Sequence, residues 1–254
     1  MTTHALADTG VLTGRSLRHI LRSPDTIITT AVTPVALMLL FTYVFGGAID
    51  IGPSGSYIDY MLPGILLITI ASGTAYTAYR LFLDLQGGIV ARFRSMPISR
   101  SSVLWAHVLT SLAATVASLA IVIGVALLMG FRTGASVLSS LAVAGVLVLF
   151  TLALTWIAVI AGLSAKTVDG ASAFSYPLIF LPFISSAFVP TDSMPAPVAW
   201  FAENQPVTSI VDSLRALFAG EPVGTSLWVA LAWLIGILVV AYVAAAAVYR
   251  RRIR

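Results

Sequence analysis

Residues 137–163 read VLSSLAVAGVLVLFTLALTWIAVIAGL, a run without one charged side chain. A hydrocarbon core about 30 Å thick is crossed by roughly 20 mostly apolar residues in helical form. Lipid offers the backbone no hydrogen-bond partners, so such a segment must satisfy itself as a helix. Five more stretches of this kind flank it, at residues 26–48, 58–79, 103–129, 171–189 and 227–249. The prediction is an all-α polytopic membrane protein with six spans in one transmembrane domain, residues 26–249. None of the six alternates polar and apolar residues in the manner of an outer-membrane barrel strand. The first is a poor signal peptide, because it begins more than 20 residues in and is followed by Gly46-Gly47-Ala48-Ile49-Asp50 and five further spans.

Composition agrees. The chain has 254 residues, 59% hydrophobic and 9% charged, with a mean hydropathy of +0.99. A soluble domain carries about 25% charged residues, so ten acids and fourteen bases cannot clothe a surface that faces only water. Cysteine is absent, which excludes disulfides, thiolate metal sites and cysteine nucleophiles. The basic residues are Arg in every case but Lys166, a bias that points to a bacterial source. Their placement argues against nucleic acid as a partner. With six spans and the N-terminus inside, the cytoplasmic segments hold Arg15, Arg18, Arg22, Arg80, Arg92, Arg94, Arg100, Lys166, Arg250, Arg251, Arg252 and Arg254. The outer loops hold only Arg132 and Arg215. This is the asymmetry of the positive-inside rule, and it predicts a bacterial inner-membrane protein with both termini in the cytoplasm.

Residues 1–25 form a separate element. Between positions 4 and 23, Leu6, Leu17, Ile20 and Leu21 share one side of a helical wheel, opposite Arg15, Arg18, His19 and Arg22. Val11 is out of place on the basic side, and Pro24 ends the helix. A basic face of this kind suits a helix lying on the anionic inner leaflet; the alternative is a solvated tail. The last residues, 250–254, make a basic cytoplasmic tail. Residues 190–226 are divided by Pro190, Pro195, Pro197, Pro206 and Pro222. Val207, Ile210, Val211, Leu214, Leu217 and Phe218 recur there at helical spacing, and Met194, Val198, Trp200 and Phe201 cluster before them. Two short helices dipping back into the outer leaflet are expected, a re-entrant hairpin before the last span. A seventh span would carry the terminal arginines outside, against the charge rule.

The loop 80–102 joins spans two and three and contains Asp84-Leu85-Gln86-Gly87-Gly88, then Arg92-Phe93-Arg94-Ser95-Met96-Pro97-Ile98-Ser99-Arg100. Ile89, Phe93 and Met96 make an apolar stripe that suits either the membrane surface or a groove on another protein. These residues, together with Leu181-Pro182-Phe183-Ile184-Ser185-Ser186-Ala187-Phe188-Val189-Pro190, Met194-Pro195, Asn204-Gln205-Pro206-Val207 and Asp212-Ser213-Leu214-Arg215, resemble the membrane subunit of type-2 ATP-binding-cassette (ABC) exporters, the daunorubicin-resistance permeases in particular. The resemblance covers nearly the whole chain in order and spacing. One departure is Trp105-Ala106-His107-Val108-Leu109-Thr110, where the family pattern puts a basic residue near His107 and an acid near Thr110.

The resemblance implies a permease that dimerises with a second copy or a homologous permease. Each copy docks a separate ATPase subunit through the loop and the N-terminal helix. The coupling residues it implies are Asp84, Gly88, Arg92, Phe93, Arg94, Pro97 and Arg100, with Arg15, Arg18 and Arg22 on the interfacial helix. ATP and magnesium are expected on the partner. Within this sequence the only lysine, in Gly162-Leu163-Ser164-Ala165-Lys166-Thr167, lacks the glycine spacing of a phosphate-cradling loop.

Other chemistries find little support. Asp25, Asp59, His107 and Asp169 all fall near span ends, which disfavours a proton relay at membrane depth. Nothing in the sequence orients His107 toward Ser164 for nucleophilic catalysis, and three scattered histidines do not make a metal site. By the resemblance, spans two and five face the dimer axis. A cargo path is then expected along Thr69, Ser72, Thr74 and Tyr76 of span two and Phe174, Tyr176, Phe180 and Phe183 of span five. Pro177 and Pro182 are expected to kink span five into a gate; helix packing is the competing role for each of these side chains. So uncharged a lining suits a hydrophobic or amphipathic cargo: a drug, lipid or glycolipid. The alternatives are a secondary transporter or channel acting alone, and an assembly subunit that transports nothing.

Overall fold

The computed structural model describes residues 24–46, 56–87 and 100–253, and among them every regular element is helical. The elements in chain order are α1 (Pro24–Leu40), α2 (Tyr57–Gln86), α3 (Arg100–Leu128), α4 (Val137–Ser164), α5 (Val168–Ala173), α6 (Ser175–Phe180), α7 (Ala196–Asn204), α8 (Pro206–Ala219) and α9 (Ser226–Ile253). Four of them, α2, α3, α4 and α9, are long and apolar enough to cross a membrane. The chain is therefore a polytopic membrane-type protein. The first and fifth predicted spans take shorter, interrupted forms.

α2 is the centre of the bundle. Every residue from Met61 to Ala71 is buried, and α1, α3, α4, α5, α6 and α8 all pack against it. A helix that is apolar all round belongs inside a protein or a membrane; this one is inside both. Glycine allows the closest approaches. A Cβ on Gly64 would lie 2.7 Å from the Cβ of Ala187, and one on Gly162 of α4 would lie 2.8 Å from the Ala78 carbonyl oxygen. Small residues that let helix backbones approach are the usual cement of membrane bundles, where no hydrophobic effect separates helix from lipid. α9 is the opposite case. Only 22% of its apolar window is buried, against 78% for α2, because it touches the bundle through one stripe, Ala230, Leu234, Ala241 and Ala245.

Two predicted spans take shorter, broken forms, Thr30–Phe45 and Val168–Ile184. Residues 26–48 were expected as one helix, but α1 passes at Phe41 into a π-helical turn, Phe41–Phe45. Residues 171–189 were expected as one kinked helix. That stretch is helical but broken: α5 ends at Ala173, α6 runs from Ser175 to Phe180, and a 3-10 turn, Leu181–Ile184, closes the series. Pro177 falls in the first turn of α6 and Pro182 at the start of the 3-10 turn. A missing N–H costs little there, and the backbone stays right-handed helical at Phe174 and Leu181, so Val168–Ile184 is one apolar helical stretch interrupted near its prolines.

The expected pair of short helices in 190–226 is present as α7 and α8. Gln205 separates them and Pro206 opens α8. Val207, Ile210, Val211, Leu214 and Leu217 are buried, as their spacing requires. α8 ends at Gly220 in the left-handed region (φ 74°), with the Glu221 N–H donating to the Ala216 carbonyl at 2.9 Å. The α3–α4 loop docks on this end: Gly134 N–H and Thr133 Oγ1 both donate to the Phe218 carbonyl, at 2.9 and 3.0 Å.

Candidate functional site

Two clusters of polar side chains lie at opposite ends of α2. At the arginine-rich end, Asp84 occupies the last turns of α2 before the loop 88–99, and His107 lies two turns into α3 beyond it. The His107 Nε2 is 3.1 Å from the Asp84 Oδ2. The contact is an ion pair with a protonated imidazole and a hydrogen bond with a neutral one. It joins the two helices that flank the loop. Deeper in, the Thr77 hydroxyl donates to Ser111 Oγ at 2.7 Å, and Ser111 Oγ lies 3.5 Å from Thr155 Oγ1. Thr155 in turn donates to the Thr151 carbonyl at 2.7 Å. This buried chain of hydroxyls ties α2, α3 and α4 together. Beside it, Trp156 stands edge-on to both Trp105 and Tyr242, with centroids 5.3 and 4.8 Å away.

The departure seen at His107 is thus resolved. Its partner is Asp84 on the neighbouring helix, not an acid on its own. Asp84 also orients His107, which the sequence did not reveal. No hydroxyl among the described residues hydrogen-bonds the imidazole, so the arrangement of a catalytic triad is not assembled there. The described residues include no group of three potential metal ligands.

At the opposite end, Arg215 of α8 makes the densest polar contact of the described residues. Its Nη1 donates to Asp212 Oδ1 at 2.9 Å and its Nη2 to the Ser186 carbonyl at 2.8 Å. Nε and Nη2 reach the Tyr60 carbonyl at 3.3 and 3.2 Å, and the guanidinium lies 3.9 Å over the Tyr60 ring. Ser186 Oγ donates to Asp212 Oδ1 at 2.7 Å. Gln205 Nε2 donates to the Ile184 carbonyl, and Tyr57 Oη donates to the Phe188 carbonyl at 3.2 Å. The irregular stretch 185–189 leaves carbonyls without helical partners, and Tyr57 of α2 and Arg215 of α8 donate to two of them, at Phe188 and Ser186. Stacked rings of Phe41, Phe183 and Phe188 complete the contact, with neighbouring centroids 5.0 and 4.8 Å apart. Sequence reasoning missed this network. Asp212 and Arg215 are legible as an i,i+3 pair, but the reach to Tyr60 and Ser186 is tertiary.

The expected path residues divide. Thr69 and Thr74 are fully buried, donating to the Ile65 and Ala71 carbonyls at 2.8 and 2.7 Å. Burial inside one chain can only grow in an assembly, so in this conformation they serve helix packing and not an open path. Ser72, Tyr76, Phe174 and Phe183 are half-buried. Tyr176 and Phe180 are exposed on α6, alongside Pro177, while Pro182 is buried. Arg100 opens α3. Gly88, Arg92, Phe93, Arg94 and Pro97 of the coupling loop, and Arg15, Arg18 and Arg22 of the N-terminal helix, lie outside the described residues. Asp59 sits in the first turn of α2, where the helix dipole favours a negative charge.

The ABC-2 type transporter family matches residues 7–219. The chain belongs to this family. As an ABC-2 protein it is similar to the daunorubicin resistance ABC transporter permease protein DrrB1 of Streptomyces coeruleorubidus, at 29% identity over 201 residues, covering 78% of this chain and 70% of that protein. It is also similar to the probable doxorubicin resistance ABC transporter permease protein DrrC of Mycobacterium tuberculosis, at 28% identity over 249 residues, covering 97% of this chain and 89% of the other. Membership bears out the resemblance carried by the loop and by the 177–218 region. It also places this ABC-2 chain among transmembrane permease subunits rather than enzymes.

Proposed function

We propose that this chain is the permease subunit of an ATP-driven exporter in the bacterial inner membrane, with both termini cytoplasmic, six membrane passages and α7–α8 as a re-entrant hairpin. Two permease copies, or this one and a homologue, form the conduit, and separate subunits bind ATP and Mg²⁺. The cargo is a hydrophobic or amphipathic small molecule, of the drug kind for which the relatives are named, or a lipid. The family match across residues 7–219 carries this reading. The absence of a phosphate-cradling motif in the sequence supports it.

The two polar clusters then take different parts. Closure of the ATPases on nucleotide pushes the loop 88–99, and the Asp84–His107 contact makes α2 and α3 answer as one body. At the far end, the segment held by Arg215 is the barrier that has to yield. The exposed rings of Tyr176 and Phe180 face the second copy.

Co-expression with a candidate ATP-binding-cassette ATPase subunit, sought first in the adjacent reading frame, tests the proposal. The two should co-purify, and cells making both should accumulate less doxorubicin in an ATP-dependent manner. Replacing Arg92 and Arg94 by Glu should weaken co-purification at least several-fold, and unchanged association would reject the docking role of the loop. Transport that survives without ATP and collapses with an uncoupler would favour a secondary transporter.

A further inference from the structure

α2 is encased from Met61 to Ala71, and from Ser72 onward one of its faces emerges. Ser72, Tyr76, Tyr79 and Arg80 are half-buried there and Leu83 is exposed, at spacings of three and four residues that make one stripe. The sequence placed Arg80 in the loop after span two, but α2 continues to Gln86, so Arg80 is a helical residue. Tyr60, in the Arg215 cluster, and Arg80 are about 30 Å apart at 1.5 Å per residue, the thickness of a hydrocarbon core. In the proposed orientation Arg80 thus stands at the inner edge of the apolar layer. An arginine at that level ordinarily snorkels toward water. This one leans the other way. Its guanidinium lies 5.8 Å from the centroid of the Tyr76 ring, one turn deeper, in the N-terminal direction that helical side chains favour. Arg80 makes no ion pair among the described residues, where the two pairs are Asp84–His107 and Asp212–Arg215. The Tyr76 and Tyr79 rings are 6.1 Å apart, and neither hydroxyl has a hydrogen-bond partner among the described residues. Lys166, Arg250 and Arg251 differ, being exposed at or beyond helix ends.

We propose that Tyr76, Tyr79 and Arg80 form a recognition site for the acidic group of an amphiphilic cargo: a sulfonate, phosphate or carboxylate joined to an apolar body that lies beside Tyr76 and Ser72. The guanidinium presents paired N–H donors in a fork that fits two oxygens of such a group, and each tyrosine hydroxyl adds a donor. Charge attraction is stronger at this depth than in water, because the surroundings are less polar. The depth also fits the ligand. An amphiphile of the inner leaflet keeps its acidic group at the interface and its body in hydrocarbon, the levels of Arg80 and of Tyr76. That the bound amphiphile is then exported rests on the export reading; its binding does not.

The test uses the full-length chain in phosphatidylcholine nanodiscs and two probes with the same aromatic body. One, 8-anilino-1-naphthalenesulfonate, carries a sulfonate; the other, N-phenyl-1-naphthylamine, does not. Binding is read as the saturable part of energy transfer from tryptophan. Arg80→Gln should weaken the sulfonate about tenfold, the loss of a charged hydrogen-bonding partner, and leave the uncharged probe unchanged. Arg80→Lys should weaken it less. Tyr76→Phe should weaken the sulfonate about threefold, and it carries the test if Arg80→Gln does not fold. Arg251→Gln removes a charge from the same end and should change neither probe. Dodecyl phosphate should displace the sulfonate, and inorganic phosphate at the same concentration should not. Equal losses for the two probes, an equal loss in Arg251→Gln, or displacement by inorganic phosphate would each overturn the proposal. With the ATPase subunit present, dodecyl phosphate should stimulate ATP hydrolysis, and Arg80→Gln should blunt the stimulation. Binding without stimulation would mark a site for resident lipid and overturn the cargo role, while leaving the export reading in place.

Discussion

The two ends of α2 are held in unlike ways. At the end away from the loop, Arg215 binds two backbone carbonyls, a carboxylate and a tyrosine ring at once, and Ala187 is pressed against Gly64. At the loop end, among the described residues, the partly exposed Asp84–His107 contact joins α2 to α3, backed by three hydroxyls. Many donors converging on irregular backbone hold one geometry, because each carbonyl left unpaired in an apolar setting is costly. One partly solvated pair contributes about 0–1 kcal/mol and is easily remade. The lesson is that converging donors on irregular backbone fix one end of α2 more firmly than a partly solvated ion pair fixes the other.

The largest expected effect is at Gly64. Replacing it by Leu should overpack the contact with Ala187 and Phe188 and cost about 3 kcal/mol or more, read as loss of monodisperse protein in detergent or a large fall in Tm. Next comes Arg215→Ala, which orphans the Ser186 and Tyr60 carbonyls and should destabilise by about 2 kcal/mol. Arg215→Lys should recover only part of this, since an ammonium cannot reproduce the planar fork. Ser111→Ala, at the loop end, should cost about 0.6 kcal/mol in the same thermal assay. Smallest in stability is Asp84→Asn, at under about 1 kcal/mol. Its effect should appear instead as several-fold less drug export per ATP hydrolysed by the assembled complex. An Asp84→Asn variant as unstable as Arg215→Ala would erase the contrast between the ends.

Much of this was legible in the sequence. Residues 137–163 and 227–249 announce α4 and α9 by length and apolarity alone, and the stripe from Val207 to Leu217 announces α8 with its buried face. Pro177 and Pro182 were legible as irregularities. Where the helix breaks around them was not, because tertiary packing decides where each turn ends. Thr69 and Thr74 misled for a related reason: in a membrane helix a hydroxyl that bonds its own backbone is as content inside as in a conduit. The Asp84–His107 contact joins positions separated by a loop, and the Arg215 cluster joins positions far apart in the chain. No local pattern carries either.

The encasement of α2 bears on how the protein is made. Of the four long helices it is the least apolar, and Pro63, Thr69 and Thr74 lie on it. Yet it leaves the ribosome before α3, α4 and α8, which later surround it. Until α4 arrives, its polar groups and the notch opposite Gly162 have only lipid or the insertion machinery for company. The second helix is thus a tenant awaiting its walls, and chains halted after α3 are expected targets for membrane quality-control proteases.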